Sequence, residues 1–120
     1  MGLQLITAAS ESPVSLAEAK LHLRIDGTDD DANVTSMISR ATDYAEKQTG
    51  RALISQQWRL ILDSFPAGSI RMPMPPLASV ESITYTDTDG AAQTLDAAEY
   101  LVNPYGLIGE VAPAYETSWP

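Results

Sequence analysis

The 120-residue chain has no cysteine, one histidine and one phenylalanine. Lack of Cys excludes disulfides, thiolate catalysis and Cys-based zinc or iron–sulfur sites. The lone histidine, His22, has no thiol partner, and no Gly-x-Ser-x-Gly nucleophile elbow exists, so the usual hydrolytic constellations are missing. Cations are also scarce: 7 Lys plus Arg face 16 Asp plus Glu, a net charge of −9. Counterion-release binding to a nucleic-acid backbone therefore lacks the positive surface it needs. No stretch approaches the roughly 18 consecutive apolar residues of a membrane-spanning helix. The start, Met1 to Ile6, carries no basic segment and no long apolar core, and Ile6 stands where a myristoylation signal wants Ser or Thr. A cytosolic protein without a membrane partner is expected.

What remains is ordinary globular material, 44% hydrophobic and 19% charged, with 8 Pro and 7 Gly. The length suits one domain, read as residues 1–120 with a helical part at about 14–50 and a β part at about 53–112. Ser15-Leu16-Ala17-Glu18 has capping-box spacing and predicts a helix from Ser15 to about Ile25, ended by Asp26-Gly27. Because Leu21, Leu23 and Ile25 also alternate, a strand reading of its second half stays open. Thr28 to Asp31 places carboxylates at the positive end of a second helix, and Gly50 suits its left-handed end. On that helix Val34, Met37, Ile38, Ala41, Tyr44, Ala45 and Gln48 share one arc, while Ser36, Ser39, Arg40, Asp43 and Lys47 lie opposite.

After Arg51 the period changes to two, and Ile54, Gln56, Trp58, Leu60 and Leu62 line one side of a long strand. Phe65 to Gly68 reads as a turn and Ile70 to Met72 as a short extended piece. Pro73 to Pro76 cannot donate ladder bonds and belongs at an edge. Val80–Thr86 and Ala91–Leu95 flank Asp87-Thr88-Asp89-Gly90, whose Asp-Gly pair is expected to supply the positive φ angles of a tight hairpin. Glu99–Val102 and Leu107–Ala112 form a second hairpin around Asn103 to Gly106. The fold class is α+β, with two N-terminal helices packed on a small, mostly antiparallel β region. The expected core is Leu16 and Leu23 of the first helix, Val34, Met37, Ile38, Ala41 and Ala45 of the second, and Trp58, Leu60 and Leu62 of the strand.

Apparent chemical motifs reduce to structure. Asp29, Asp31 and Asn33 match the first ligand positions of a calcium loop, but Val34 stands where Gly is needed and Arg40 where a bidentate Glu is needed. The acids suit a helix start better, and Asp87 with Asp89 beside Gly90 suits an Asx-rich turn, so no metal is expected. Glu81 with Asp87 offers a carboxylate pair, yet nothing marks a sugar cleft beyond Trp58 and Trp119. Pro73 to Pro76 has PxxP spacing, which a rigid edge segment explains. Asn33-Val34-Thr35 is a glycosylation sequon, without meaning outside a secretory route. No catalytic residue and no cofactor is assigned.

The run Val14 to Ile25, the acidic start at Asp29 to Asp31, Tyr44 to Ile54, and Pro75-Pro76-Leu77 followed by Val80 to Tyr85 resemble the tailed-bacteriophage head-tail connector (adaptor, head-completion) family. The resemblance spans roughly residues 3–112. It implies a structural virion protein of the neck, assembled in the host cytoplasm as a homo-oligomeric, dodecameric ring beneath the portal protein. Such a ring continues the DNA channel, lets DNA pass without specific binding and receives a stopper or tail-completion protein. The family has no catalytic residues. Its longer relatives continue with further helices, whereas this chain stops at Ser118-Trp119-Pro120, as a short variant or a truncation would.

Charge is divided unevenly along the chain: residues 1–63 hold nine acids and six bases, and 64–120 hold seven acids and only Arg71. A closed ring needs two different, complementary surfaces on each copy. Arg24, Arg40, Lys47 and Arg51 are the candidate subunit-interface residues, set against the acidic β half of a neighbour. Two rival readings are another phage or host assembly module of the same plan, and a small carboxylate-dependent hydrolase.

Overall fold

The computed structural model describes residues 2–120. It contains β1 (Gly2–Thr7), α1 (Leu16–Leu23), α2 (Asp31–Thr49), β2 (Gln57–Ile61), β3 (Ile70–Arg71), β4 (Thr84–Thr86), β5 (Ala92–Thr94), β6 (Tyr100–Asn103) and β7 (Glu110–Pro113), with a 3-10 turn at Ala97–Glu99. The class is α+β, but the helices are not the first elements. The strand β1 precedes them and pairs with β2 in a two-stranded ribbon. Sequence reading missed it because its partner lies some fifty residues away, and a short N-terminal run shows no sign of so distant a pairing. The chain divides into two compact units, one made of Leu5–Arg59 and the other of the residues up to Gln4 with Leu60–Pro120.

In the first of these, α1 starts on the capping box expected at Ser15. The Glu18 N–H donates to Ser15 Oγ (3.1 Å) and the Ser15 N–H to Glu18 Oε1 (3.3 Å). The helix stops before Ile25 because Arg24 turns left-handed, at φ 58° and ψ 42°, and Ile25 N–H closes back on the Lys20 carbonyl. For α2, the cap residue Asp30 makes no side-chain bond to the backbone, so the acids act there through the helix dipole. Gly50 ends α2 at φ 64°. Lys20 ties the two helices together: its ammonium donates to the Gly27 carbonyl and stands 2.8 Å from Asp31 Oδ1. That Asp31 oxygen is buried and accepts no hydrogen bond of good geometry, so the contact is primarily ionic.

The helix face that packs is rotated from the one expected. Val34 is fully buried, and Leu16, Ile38 and Ala45 are half-buried. Leu23, Met37 and Ala41, assigned to the core from periodicity, are exposed, Leu23 by 48% and Met37 by 40%. Half-buried Thr42 and Glu46 replace them, so the covered arc runs through Val34, Ile38, Thr42, Ala45 and Glu46. The reason is that α2 has 19 residues and α1 only 8, too short to cover the full width and length of an apolar stripe.

The strand expected over Ile54–Leu62 is paired only at Gln57–Ile61, since a two-stranded ribbon is no longer than its six-residue partner. Trp58, expected to face the core between the second helix and the sheet, is half-buried, as are Leu60 and Leu62. The Trp58 indole donates to Gln56 Oε1 (2.9 Å), and Gln56 Nε2 donates to Glu46 Oε2 (2.7 Å), linking the end of α2 to the approach to β2.

The second unit holds a three-stranded antiparallel sheet, order β3-β7-β6, and the β4-β5 hairpin. In the sheet Tyr100 opposes Pro113, Val102 opposes Val111 and Ile70 opposes Val111 from the other side. Its core is Leu95, Tyr100 and Val111, with Ile70, Met72, Val80, Ile83, Tyr85, Val102 and Trp119 packed around them. Phe65 meets Tyr85 edge-on at 5.8 Å and stacks on Trp119 at 5.1 Å. The proline run follows edge strand β3 and includes a cis Pro75–Pro76 bond. Gly109 is buried where β7 begins. A Cβ there would collide with the stem of Leu77, so the close approach demands glycine.

Candidate functional site

The β4-β5 loop carries the most strongly organised carboxylate. Asp87 Oδ1 accepts from the Asp89 (3.0 Å) and Ala91 (2.9 Å) N–H groups, and Oδ2 accepts from Gln93 Nε2 (2.9 Å). Asp87 N–H pairs with the Ala91 carbonyl and Gly90 N–H with the Asp87 carbonyl, leaving a three-residue loop. Only Gly90 has a positive φ, 82°, so the expected pair of positive angles reduces to one glycine at the bulge position. Gln93 first, then the backbone donors, hold the Asp87 carboxyl below the ordinary aspartate range, outweighing slight desolvation.

A lowered folded-state pKa stabilises the hairpin above the unfolded value near 3.8 and is lost as pH falls through the folded value. In wild-type protein the Ala91 amide shift is therefore expected to follow Asp87 with a midpoint below 3.8, and in Asp87→Ala to lose that transition. Proton NMR across the acid range checks this, and a midpoint at or above the ordinary value would contradict it. An acid held ionised by its own loop is poorly suited to general-acid work at neutral pH. This argues against Asp87 as the acid of a hydrolytic pair with Glu81, and its carboxylate oxygens are already engaged within the turn.

Of the calcium-like set only Asp31 is occupied, by the Lys20 ammonium. Among the described residues no group of three or more His, Cys, Asp or Glu side chains is placed to hold a metal ion. An open cleft of about 510 Å³ is lined by Glu11, Val14, Glu18, Thr35 and Ile38. Its Glu18 and the neighbouring Ser15 are committed to the α1 capping box, and His22 lies elsewhere on α1, exposed.

The four basic candidates all belong to the helical unit. Arg40 and Lys47 stand seven residues apart on α2, within about 20° of each other around the axis, and both are exposed. Arg24 is the exposed left-handed end of α1, and Arg51 is half-buried just beyond Gly50. None of the four makes an ion pair among the described residues, and Asp43 does not close on Lys47 despite the acid-first spacing. Arg40 and Lys47 form one stripe, Arg24 and Arg51 sit at helix ends, and the charges are free to meet another surface. Leu5–Arg59 holds eight acids and six bases, whereas the rest of the chain holds eight acids and Arg71 alone.

Sequence reading also passed over a set of large apolar side chains left in water. Met37, Ala41 and Tyr44 line one flank of α2, with Tyr44 68% exposed. At the β6-β7 loop Tyr105 is 94% and Leu107 84% exposed. The signal was present in Asn103-Pro104-Tyr105-Gly106-Leu107, which places two large apolar residues in a turn where polar ones are usual.

The model of the family described as phage gp6-like head-tail connector protein matches residues 13–103. No curated protein matches the chain. Among solved structures it is similar to a chain in the neck of an empty GTA particle with C6 symmetry, at 26% identity and a TM-score of 0.82. The alignment covers 100% of this chain and 64% of that one, so this chain spans less than two thirds of the neck protein's length.

Proposed function

The chain belongs to the phage gp6-like head-tail connector family, and we propose that it is a structural neck protein of a tailed-phage-like virion, acting as one connector domain. In this reading copies of the chain assemble as a closed ring, dodecameric in the particle, beneath the portal protein. The ring continues the DNA channel and receives a stopper or tail-completion protein. The observation that carries it is the family match over residues 13–103, supported by the likeness to a particle neck. A net charge of −9 suits a channel wall, because like charge keeps DNA from adhering as it slides. No enzymatic role is assigned, and the protein works by binding at its surfaces, first in the host cytoplasm and then in the virion.

Ring contacts in this reading pair the basic side of the helical unit with the acidic strand-rich unit of the next copy. Native mass spectrometry of the whole chain over a range of concentrations is expected to show closed oligomers. Arg40→Glu with Arg51→Glu should weaken their formation at least tenfold without changing the melting of the monomer, and added salt should act in the same direction. Rings that persist unchanged in the double reversal would refute the charge pairing. A wild type that stays monomeric throughout would refute self-assembly of this chain alone.

A further inference from the structure

Two of the exposed apolar surfaces, the β6-β7 loop and the α2 flank, lie on different units. The β6-β7 loop is a projecting tip, uncharged from Asn103 to Gly109. It is braced at its base by the Asn103–Glu110 register pair and at its bend by the Tyr105 N–H donating to Asn103 Oδ1 (3.1 Å). The α2 flank of Met37, Ala41 and Tyr44 is instead a helix face, small at its middle residue and edged on one side by the cations Arg40 and Lys47. Tyr105 and Leu107 stand almost wholly in water on one uncharged loop, and it is such grouped apolar exposure, rather than single exposed residues, that marks a binding surface.

We propose that the Tyr105–Leu107 tip of one copy packs on the Met37–Ala41–Tyr44 flank of the next copy, forming the apolar centre of the ring interface. This rests on the ring reading above and names its contact. A ring that closes needs two unlike patches on every copy, and the loop tip and the α2 flank are two such patches. Charge favours a second copy as occupant: the tip stands on the unit with eight acids and one base, and the flank is edged by two unpaired cations. The tip brings no charge of its own to be buried, so it can seat beside the Arg40–Lys47 stripe while those cations meet acids at the rim. Nucleic acid or an anionic lipid surface is a poor occupant, because the tip belongs to the acidic unit.

The chain has no native cysteine, so an introduced one is unique. Ala41→Cys and Leu107→Cys chains, each purified alone, are mixed in equal amounts and mildly oxidised, and the three possible disulfide dimers are separated by mass. Random collision yields mixed dimer equal to the two homodimers together. A mixed dimer at least fivefold above their sum is expected, because a disulfide requires the two Cα atoms within about 7 Å. Proportions at the random ratio, or no disulfide, would overturn the proposal whether or not the wild type forms rings. In parallel, Leu107→Ser is expected to weaken wild-type association at least tenfold while leaving monomer melting unchanged. Association unaffected by Leu107→Ser would also overturn the tip contact, leaving the ring reading standing, whereas a strictly monomeric wild type removes the ring itself.

Discussion

Replacing Tyr100 with Ala is expected to cost about 3–5 kcal/mol of folding free energy, the range for removing a buried aromatic ring. Tyr100 opens β6, is one of three buried residues of the core cluster, and lies opposite Pro113 in the ladder to β7. Its loss leaves a cavity against Leu95 and Val111 that the ladders on both sides of β7 keep from collapsing. Tyr100→Phe keeps the ring and should cost about 1 kcal/mol or less. Urea unfolding of the two variants, at unchanged slope, measures the difference. Midpoints equal to wild type in Tyr100→Ala would mean that this cluster is not what holds the strand-rich unit.

Trp119→Ala is expected to have the next largest effect, about 3 kcal/mol, at the lower end of that range because the ring is only half-buried. The indole stacks on Phe65 and donates from Nε1 to the Gly68 carbonyl (2.8 Å), closing the loop between β2 and β3 from fifty residues away. Trp119→Phe preserves the stacking and removes the hydrogen bond, so it should lose about 1 kcal/mol. In a Trp58→Phe background, Trp119 is the sole tryptophan, and its emission should shift to the red in the same denaturant range in which the unit unfolds. A red emission already present in native conditions would contradict the packing.

These two residues mark the limit of what sequence alone revealed. Ser15 and Glu18, Gly50, and the two hairpins around Asp87–Gly90 and Asn103–Gly106 were legible because caps and turns are decided within a few residues. The resemblance to connector proteins was legible for a related reason, since it lies in the order of such local motifs. The strand β1 was not, nor the truncated pairing of β2, because a strand exists only where a distant partner supplies its bonds.

Of the candidate interface, composition determined the charge division, and the positions of Arg40 and Lys47 on one stripe followed from helical spacing. Periodicity also showed that α2 has an apolar arc, but only the tertiary structure decided which part is covered. The short α1 leaves Met37, Ala41 and Tyr44 in water and buries Val34. Likewise Asn103 to Gly109 announced a turn, while the exposure of Tyr105 and Leu107 depends on which neighbours the fold fails to bring near them. Local backbone preference is written in adjacent residues, whereas burial is a property of the whole arrangement, and it is burial that separates a core side chain from a contact surface.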